Sequence, residues 1–216
     1  MFIGHFALGF AAKKITPQPS LGTLFLASQF IDLLWPILLL LGWEQVMIEP
    51  GNTQVTPLNF IHYPISHGLV AVILWGVLIG GLYFFIKRNL KSALVLGVLV
   101  VSHWILDWFT HRPDLPLFPG SDIKVGLGLW NSLIGTLIVE GGLFLFGVYL
   151  YLKATRAKNK TGHWALWILV VLLAIIYSAN LFGPPPPEVK PIAYVGLLQW
   201  LFIAWGYWID RNRKVT

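Results

Sequence analysis

The sequence predicts an all-α fold, a polytopic helical bundle in a membrane, built as one integral domain over residues 1–216. Of the residues, 56% are hydrophobic and only 11% are charged, whereas a soluble domain carries roughly 25% charged residues. The apolar residues form six long runs, and the basic residues concentrate in alternate connections between them. These observations exclude a soluble enzyme and a disordered chain, because neither could carry so much continuous apolar sequence.

Six segments are long and apolar enough to cross a hydrocarbon core, which needs about 20 helical residues. They are Leu21–Trp43, Ser66–Ile86, Ser92–Thr110, Leu129–Leu152, Trp164–Phe182 and Pro191–Ile209. The stretch Met1–Ala12 is too short to cross, so we expect a half-helix that dips into the membrane or packs inside the bundle. A cleaved signal peptide is the alternative, but its basic residues would precede the apolar run, and here Lys13 and Lys14 follow it.

Lysine and arginine residues predict the orientation. If Lys13 and Lys14 are cytoplasmic, twelve of the fifteen basic residues fall on that side, and Arg112, Lys124 and Lys190 lie outside. This distribution follows the positive-inside rule and places the C-terminus in the cytoplasm. The formal charge of +6 is therefore read as a topology signal, and we expect no nucleic-acid partner.

Several ionisable side chains interrupt the apolar runs, where a charge costs at least about 2.5–3.5 kcal/mol on insertion scales. They are His5, Asp32, His67, His103, Asp107 and Glu140, with His62 and His111 at the predicted outer edge. No lysine or arginine lies at comparable depth, so a bound divalent cation is the simplest way to balance the carboxylates. At about 1.5 Å per helical residue, the buried groups all fall between the middle and the outer half of the membrane.

The most specific pattern lies in the third span. His103, Asp107 and His111 recur every four residues and therefore line one stripe of a helix. Imidazole and carboxylate are ligands that zinc, iron and manganese accept in a chain that has no cysteine. His103 and His111 are about 12 Å apart along the axis, so at least two ions are implied if all three residues are ligands. The alternative is a hydrogen-bonded polar stripe between helices.

His62 and His67 form a second element around Pro64. Proline disfavours helix in the residue before it, so we expect His62 on the entering loop and His67 in the first turn of the second span. Alone, such a pair is more typical of structural histidines. The stripe that begins at His103 makes this pair a candidate for metal ligation.

Three side chains are candidates for catalysis rather than for ligation alone. Arg112 is one of three outer basic residues, and a guanidinium can bind phosphate through two parallel hydrogen bonds. Pairing of Arg112 with Asp114 or Asp122 is the alternative. Asp32 or Glu140, where not a ligand, is expected to act as a general base or to orient a ligand.

At four short blocks the chain resembles the membrane-bound metal-dependent hydrolases of bacterial inner membranes. The blocks are Gly4-His5, Gln29-Phe30-Ile31-Asp32, His62 through Gly68, and Ser102 through Thr110 followed by Leu115-Pro116-Leu117-Phe118-Pro119. The resemblance covers about the first 120 residues, with the fourth block the most specific, and it implies an inner-membrane protein with a metal centre. The ligands that it implies are His5, Asp32, His62, His67, His103 and Asp107. His111 and Glu140 are added here from their placement.

Three positions depart from the family pattern. Phe30, Tyr63 and Gly68 stand where the family has aspartate, arginine and serine. The departures put a ligand or a phosphate-contacting cation in question, and Arg112 is the candidate substitute. The His-x-x-x-Asp spacing at His103 also resembles that of zinc-dependent phospholipases C, a distant likeness that favours phosphoester over amide hydrolysis.

These features favour a metal-dependent hydrolase that acts on a phosphoester of a lipid or other amphiphile at the outer side of the membrane. Zinc is the expected metal, with iron or manganese as alternatives and one to three ions bound. Two other functions would use the same residues. A small transporter would pass ions or protons along buried carboxylates and imidazoles, and it predicts polar residues that reach both faces. A metal-dependent membrane oxidase would be expected to carry more histidines, in repeated clusters.

Overall fold

A computed structural model describes all 216 residues and shows the predicted helical bundle. Its helices are α1 (Ile3–Ile15), α2 (Leu21–Leu40), α3 (Leu69–Lys87), α4 (Leu90–Thr110), α5 (Leu133–Ala154), α6 (Lys160–Phe182), α7 (Val189–Leu197) and α8 (Gln199–Arg211). Six spans, namely α2 to α6 and the segment made of α7 and α8, are long and apolar enough to cross a membrane. The prediction of an all-α membrane bundle with a short N-terminal helix is confirmed.

The N-terminal helix α1 packs inside the bundle, which is one of the two placements expected for it. Phe10 is fully buried and makes edge-to-face contacts with Phe25 and Tyr151. The backbone of α1 also approaches α5 closely, since a Cβ on Gly147 would lie 2.3 Å from the carbonyl oxygen of Ala7. This position brings the residues of α1 into the centre of the fold.

Several helix boundaries differ from the predicted ones for local reasons. α2 ends at Leu40, because the chain turns at Gly42 with a φ of +72°. α3 begins at Leu69, three residues later than predicted, because a turn precedes it. α6 begins at Lys160, four residues earlier than predicted, because the Asn159 side chain caps its first turn.

The sixth span is broken at Leu198 into α7 and α8, whereas the sequence predicts one continuous helix. The α7 helix packs against α2, where a Cβ on Gly196 would lie 2.6 Å from Cγ of Pro36. Just after the break, Gln199 donates a long hydrogen bond of 3.4 Å to the carbonyl oxygen of Asp32. The break therefore lies beside the part of α2 that carries Asp32.

Three short antiparallel strand pairs, which the apolar pattern of the sequence does not predict, join the connections. They are β1 (Gln45–Ile48) with β2 (Leu58–His62), β3 (Leu115–Pro116) with β4 (Lys124–Val125), and β5 (Thr155–Ala157) with β6 (Arg213–Val215). The first two pairs lie in the α2–α3 and α4–α5 connections, at the end of the bundle that is predicted to be outside. The third pair ties the α5–α6 connection to the C-terminus at the opposite end.

A buried ion pair holds four helices together at that opposite end. Lys13 Nζ of α1 lies 2.5 Å from Asp210 Oδ2 of α8. Tyr151 of α5 donates to Asp210 Oδ1 at 2.5 Å, and the amide of Leu21 at the start of α2 donates to Oδ2 at 2.8 Å. Asp210 is therefore a structural anchor of the predicted cytoplasmic end.

Candidate metal centre

Five of the predicted ligands come together in one buried cluster between α1, α2, α4 and the turn before α3. They are His5, Asp32, His67, His103 and Asp107, which we call the His/Asp cluster. Asp107 and the three histidines are at most 3% exposed. Asp32 is more open, with a side chain that is 22% exposed. The common depth of these residues could be read from the sequence, and the structure adds that they face one another.

Two histidines contact both aspartates, and His103 lies closer to them than His67 does. Its Nε2 lies 3.2 Å from Asp107 Oδ2 and 3.5 Å from Asp32 Oδ1. Nε2 of His67 lies 3.7 Å from each of the same two oxygens. Because Asp107 follows His103 by one turn of α4, the four-residue spacing places both side chains on the same helix face.

The hydrogen bonds of His103 determine its tautomer. Nδ1 lies 2.9 Å from the carbonyl oxygen of Ser28, and since a carbonyl only accepts, Nδ1 carries a proton. Nε2 is buried and has no hydrogen-bond partner. In the neutral ring this atom therefore directs a lone pair toward two carboxylates, an arrangement that needs either a metal ion between them or a second proton on the ring.

His5 lies on the other side of His103. The two rings stack with their centroids 3.5 Å apart and 7° between their planes. Nε2 of His5 is 3.1 Å from Asp107 Oδ1, while its Nδ1 is buried without a partner. Asp107 Oδ1 also accepts a hydrogen bond of 2.5 Å from the amine of Met1. Asp107 therefore contacts α1 through Oδ1 and the other two histidines through Oδ2.

The residues present fit a divalent metal ion. The ligand atoms of His5, His103 and Asp107 lie within 4.8 Å of one another, as do those of Asp32, His67 and His103. Ligand atoms around one tetrahedral zinc ion are about 3.3–3.6 Å apart when the bonds are about 2.0–2.2 Å. The contacts of His67 and His103 with the two aspartates span 3.2–3.7 Å. Nitrogen and oxygen donors of this kind suit zinc, and also iron or manganese.

His62 lies outside the His/Asp cluster, contrary to the expectation that it is a ligand. It ends β2, where it pairs with Gln45 of β1, and its side chain is exposed. It lines an open cavity of about 260 Å³ together with Asp114 and Lys124. His62 lies outside because the pairing of β2 with β1 holds it in an extended strand, and the chain returns to the cluster only at the following turn, which contains His67.

His111 also lies outside the cluster. It is the first residue after α4, so the helical stripe ends before it. Its Nδ1 donates to Asp114 Oδ1 at 2.9 Å, and Tyr63 donates to the same oxygen at 2.7 Å. The ring is 4.3 Å from that of Trp130, centroid to centroid. For His111, the structure favours the hydrogen-bonded alternative over ligation.

Arg112 is paired within the outer loops. Its Nε lies 3.4 Å from Asp114 Oδ2, and its terminal nitrogen donates to Asn59. Burial raises the pKa of Asp114, but hydrogen bonds from His111 and Tyr63 and the charge of Arg112 outweigh burial and hold this pKa below its usual value. Burial and the neighbouring Asp114 raise the pKa of Tyr63 well above its usual value. Arg112 is thus paired with Asp114, as in the alternative interpretation, and its guanidinium is not free of protein partners.

Glu140 is buried on α5 and holds the beginning of α1. Its Oε1 accepts hydrogen bonds from the amides of Phe2 at 2.5 Å and Gly4 at 3.2 Å. A carboxylate in this position is favourable, because the N-terminus of a helix carries partial positive charge. Glu140 makes no hydrogen bond to the His/Asp cluster and positions the first turn of α1, which carries His5.

The His/Asp cluster stays assembled although three positions depart from the family pattern. Phe30 is half-buried against Trp75, with ring centroids 5.4 Å apart. Tyr63 makes the hydrogen bond to the outer loop described above. A Cβ on Gly68 would lie 2.4 Å from the carbonyl oxygen of Pro64, so this turn has no room for the serine of the pattern.

Three groups near the cluster could not be found from the sequence. Glu44 and Ser66 are at most 2% exposed and hydrogen-bonded to each other, and Ser66 also contacts His67. The Met1 amine is the third. Glu44 gave no signal because it lies in a polar connection, where a charged residue is ordinary and its burial depends on the turn that folds over it.

The comparisons with known proteins show the family. The family described as YdjM inner membrane protein matches residues 1–182, which include the whole His/Asp cluster and α1 to α6. No curated protein and no solved structure matches the chain. Because the match covers well over half of its length, the chain belongs to the YdjM inner membrane protein family.

Proposed function

We propose that this protein is a membrane-embedded metal-dependent hydrolase that acts on a phosphoester of a lipid or another amphiphile. The observation that carries the proposal is the unpartnered Nε2 of His103 between Asp32 and Asp107. Two carboxylates beside a buried lone pair are unfavourable, and a divalent ion between them would supply the missing positive charge. Asp32, His67 and His103, whose ligand atoms lie within 4.8 Å of one another, would hold this ion, with Oδ2 of Asp107 3.2 Å from His103 Nε2.

The amine of Met1 does not take the place of such an ion. It contacts Asp107 through Oδ1, whereas the contacts with His103 and His67 are made by Oδ2. Oδ1 of Asp32 likewise contacts only the two imidazoles. One ammonium group beside the carboxylates of Asp32, Asp107 and Glu140 also leaves negative charge that a divalent ion would balance.

The reaction type is proposed from the donor set together with the resemblance to membrane-bound metal-dependent hydrolases. A divalent ion held by imidazole and carboxylate lowers the pKa of a coordinated water and polarises a phosphoryl group. Asp32 is the candidate general base, because its side chain is the open one and Oδ1 makes its contacts with the histidines. Arg112 is left out of the proposed chemistry because Asp114 and Asn59 already engage its guanidinium.

An amphiphilic substrate is proposed because the cluster lies among helices that are long and apolar enough to span a membrane. A substrate that enters from the lipid would reach the cluster at Asp32, its most exposed member. The positive-inside rule supports placing the site toward the outer face. The substrate headgroup would then lie near the connections that carry the first two strand pairs.

The test is to purify the full chain in detergent, measure bound metals by mass spectrometry, and assay hydrolysis of phospholipids in mixed micelles. We expect about one divalent ion per chain if the cluster forms one site, with activity lost on chelation and restored by the metal. The variant Asp107→Asn should lose both metal and activity. Asp122→Asn, in an exposed loop, is the matched control. Hydrolysis that is unchanged in fully stripped protein would overturn the proposal.

The transporter alternative has less support. A conducting path would have to connect the His/Asp cluster with the Lys13–Asp210 pair at the opposite end. Between them α1 carries Phe6 and Phe10, both fully buried in an aromatic core. Proteoliposome flux measurements would test the alternative, and metal analysis with optical spectra would distinguish a zinc hydrolase from an iron oxidase.

A further inference from the structure

A buried hydrogen-bonded chain joins Glu44 to His67 through Ser66. Glu44 Oε2 lies 2.5 Å from Ser66 Oγ, and Ser66 Oγ lies 2.7 Å from His67 Nδ1. All three side chains are at most 3% exposed. Glu44 comes from the connection after α2, so a separate segment of the chain supplies this contact to the turn before α3.

Glu44 is present as a carboxylate. Its Oε1 accepts hydrogen bonds from the amides of Ile65 at 2.9 Å and Ser66 at 2.7 Å, and its Oε2 accepts from the Ser66 hydroxyl. A carboxyl group that accepts three hydrogen bonds and donates none is ionised. No lysine, arginine or histidine pairs with it directly, so the hydroxyl is its one link to another ionisable side chain.

These contacts determine where the protons lie. The one hydroxyl proton of Ser66 points at Glu44, because a carboxylate only accepts. Ser66 Oγ must then accept from His67, whose Nδ1 carries the ring proton. The lone pair of His67 is therefore on Nε2, which is 3.7 Å from Asp32 Oδ1 and from Asp107 Oδ2.

We propose that Glu44 and Ser66 are positioning residues that fix the tautomer and orientation of His67 for a divalent metal ion. This inference rests on the proposed function, since it concerns the same centre. His103 receives its orientation from the neutral carbonyl of Ser28, whereas His67 receives it from a charged group through a hydroxyl. A carboxylate linked to the far nitrogen raises the basicity of an imidazole ligand.

A purely structural role for Glu44 would need only its hydrogen bonds to the backbone. Those two bonds hold the turn before α3 in place whether or not His67 binds a metal. The variant Ser66→Ala separates the two roles, because it keeps both backbone bonds to Glu44 and removes only the hydroxyl between Glu44 and His67.

The experiment titrates Co²⁺ into the metal-stripped, purified full chain and follows binding and the visible absorption of the bound ion. We expect Ser66→Ala to bind about 10–100-fold more weakly, with an altered spectrum, as for the loss of other such contacts. Ser66→Thr should restore most of the affinity. Glu44→Gln should weaken binding in the same way, which provides a second variant if one of them folds poorly. Ser178→Ala, which removes a hydroxyl bonded to a backbone carbonyl of α6, is the matched control.

The outcomes separate this inference from the proposed function. If the unaltered chain binds no Co²⁺, the metal centre itself is wrong. If the unaltered chain binds Co²⁺ and folded Ser66→Ala matches Ser178→Ala in affinity and spectrum, the positioning role is overturned while the metal centre stands. Weakened binding with an altered spectrum in Ser66→Ala, recovered in Ser66→Thr, supports the inference.

Discussion

Nε2 of His103 lies 3.2 Å from Oδ2 of Asp107, one turn further along α4, and in the neutral ring no proton lies between them. The proton of His103 is instead directed at the carbonyl oxygen of Ser28. Two acceptor atoms this close in the interior repel each other unless a positive charge joins them. The properties expected of the His/Asp cluster follow from this relationship.

Asp107 is expected to contribute more to stability than Asp32. Replacing Asp107 by asparagine leaves the buried amine of Met1 without its partner, and loss of one member of a buried ion pair costs about 3–5 kcal/mol. Asp32→Asn should destabilise the chain less, because its side chain is partly exposed. Reversible unfolding in mixed detergent micelles would measure both free energies, with Asp122→Asn as the control. Equal losses for Asp107→Asn and Asp32→Asn would contradict this assignment.

Asp114 should make the outer loops sensitive to acid. Its folded-state pKa is lowered, so its contribution to stability is fully present above the unfolded pKa of about 3.9 and is lost as the pH falls through the folded value. Asp114→Asn should therefore be less stable than the unaltered chain at neutral pH. This difference should shrink below about pH 4. Thermal unfolding across this pH range checks it, and a difference that stays constant into acid would refute the role given to Asp114.

Restoring the family's serine at position 68 is expected to impair the metal centre. The added Cβ would lie 2.4 Å from the carbonyl oxygen of Pro64, so the turn that carries His67 must shift. Gly68→Ser should weaken Co²⁺ binding and change the spectrum of the bound ion. Gly81→Ser on α3, where a Cβ meets no other atom within 4 Å, is the control. Normal binding by Gly68→Ser would show that the turn tolerates a side chain.

The anchor at the opposite end should act on stability alone. Asp210→Asn removes the buried partner of Lys13 and one acceptor of Tyr151, so we expect a loss of about 3–5 kcal/mol. The affinity for Co²⁺ and the spectrum should remain those of the unaltered chain as long as the variant is folded. A changed spectrum in folded Asp210→Asn would mean that the two ends of the bundle are coupled.

Much of the fold could be predicted because spans and burial follow from apolar length. The depth of Asp32 and of His103 could be counted along helices, and the i to i+4 spacing placed Asp107 beside His103. The break in the sixth span at Leu198 could not be predicted, since the segment is apolar on both sides of it.

The contacts made by the loops could not be predicted from the sequence pattern either. His62 and His67 are both predicted as ligands, but the pairing of β2 with β1 leaves His62 exposed, while the turn held by Glu44 buries His67. His111 continued the spacing of the stripe, yet α4 ends at Thr110 and the ring turns to Asp114. Periodicity predicts contacts only as far as the helix continues.

The most direct test of the metal centre is anomalous diffraction from crystals of the full chain, recorded on both sides of the absorption edge of zinc. We predict an anomalous peak in the His/Asp cluster, within bonding distance of His103 Nε2, His67 Nε2 and an oxygen of Asp32. Crystals of the His103→Ala variant should lack the peak. Crystals of His163→Ala, altered at an exposed position on α6, should keep it. The proposed metal centre would be contradicted if protein supplied with zinc, iron and manganese showed no peak at any of their edges and His103 were protonated between the two aspartates.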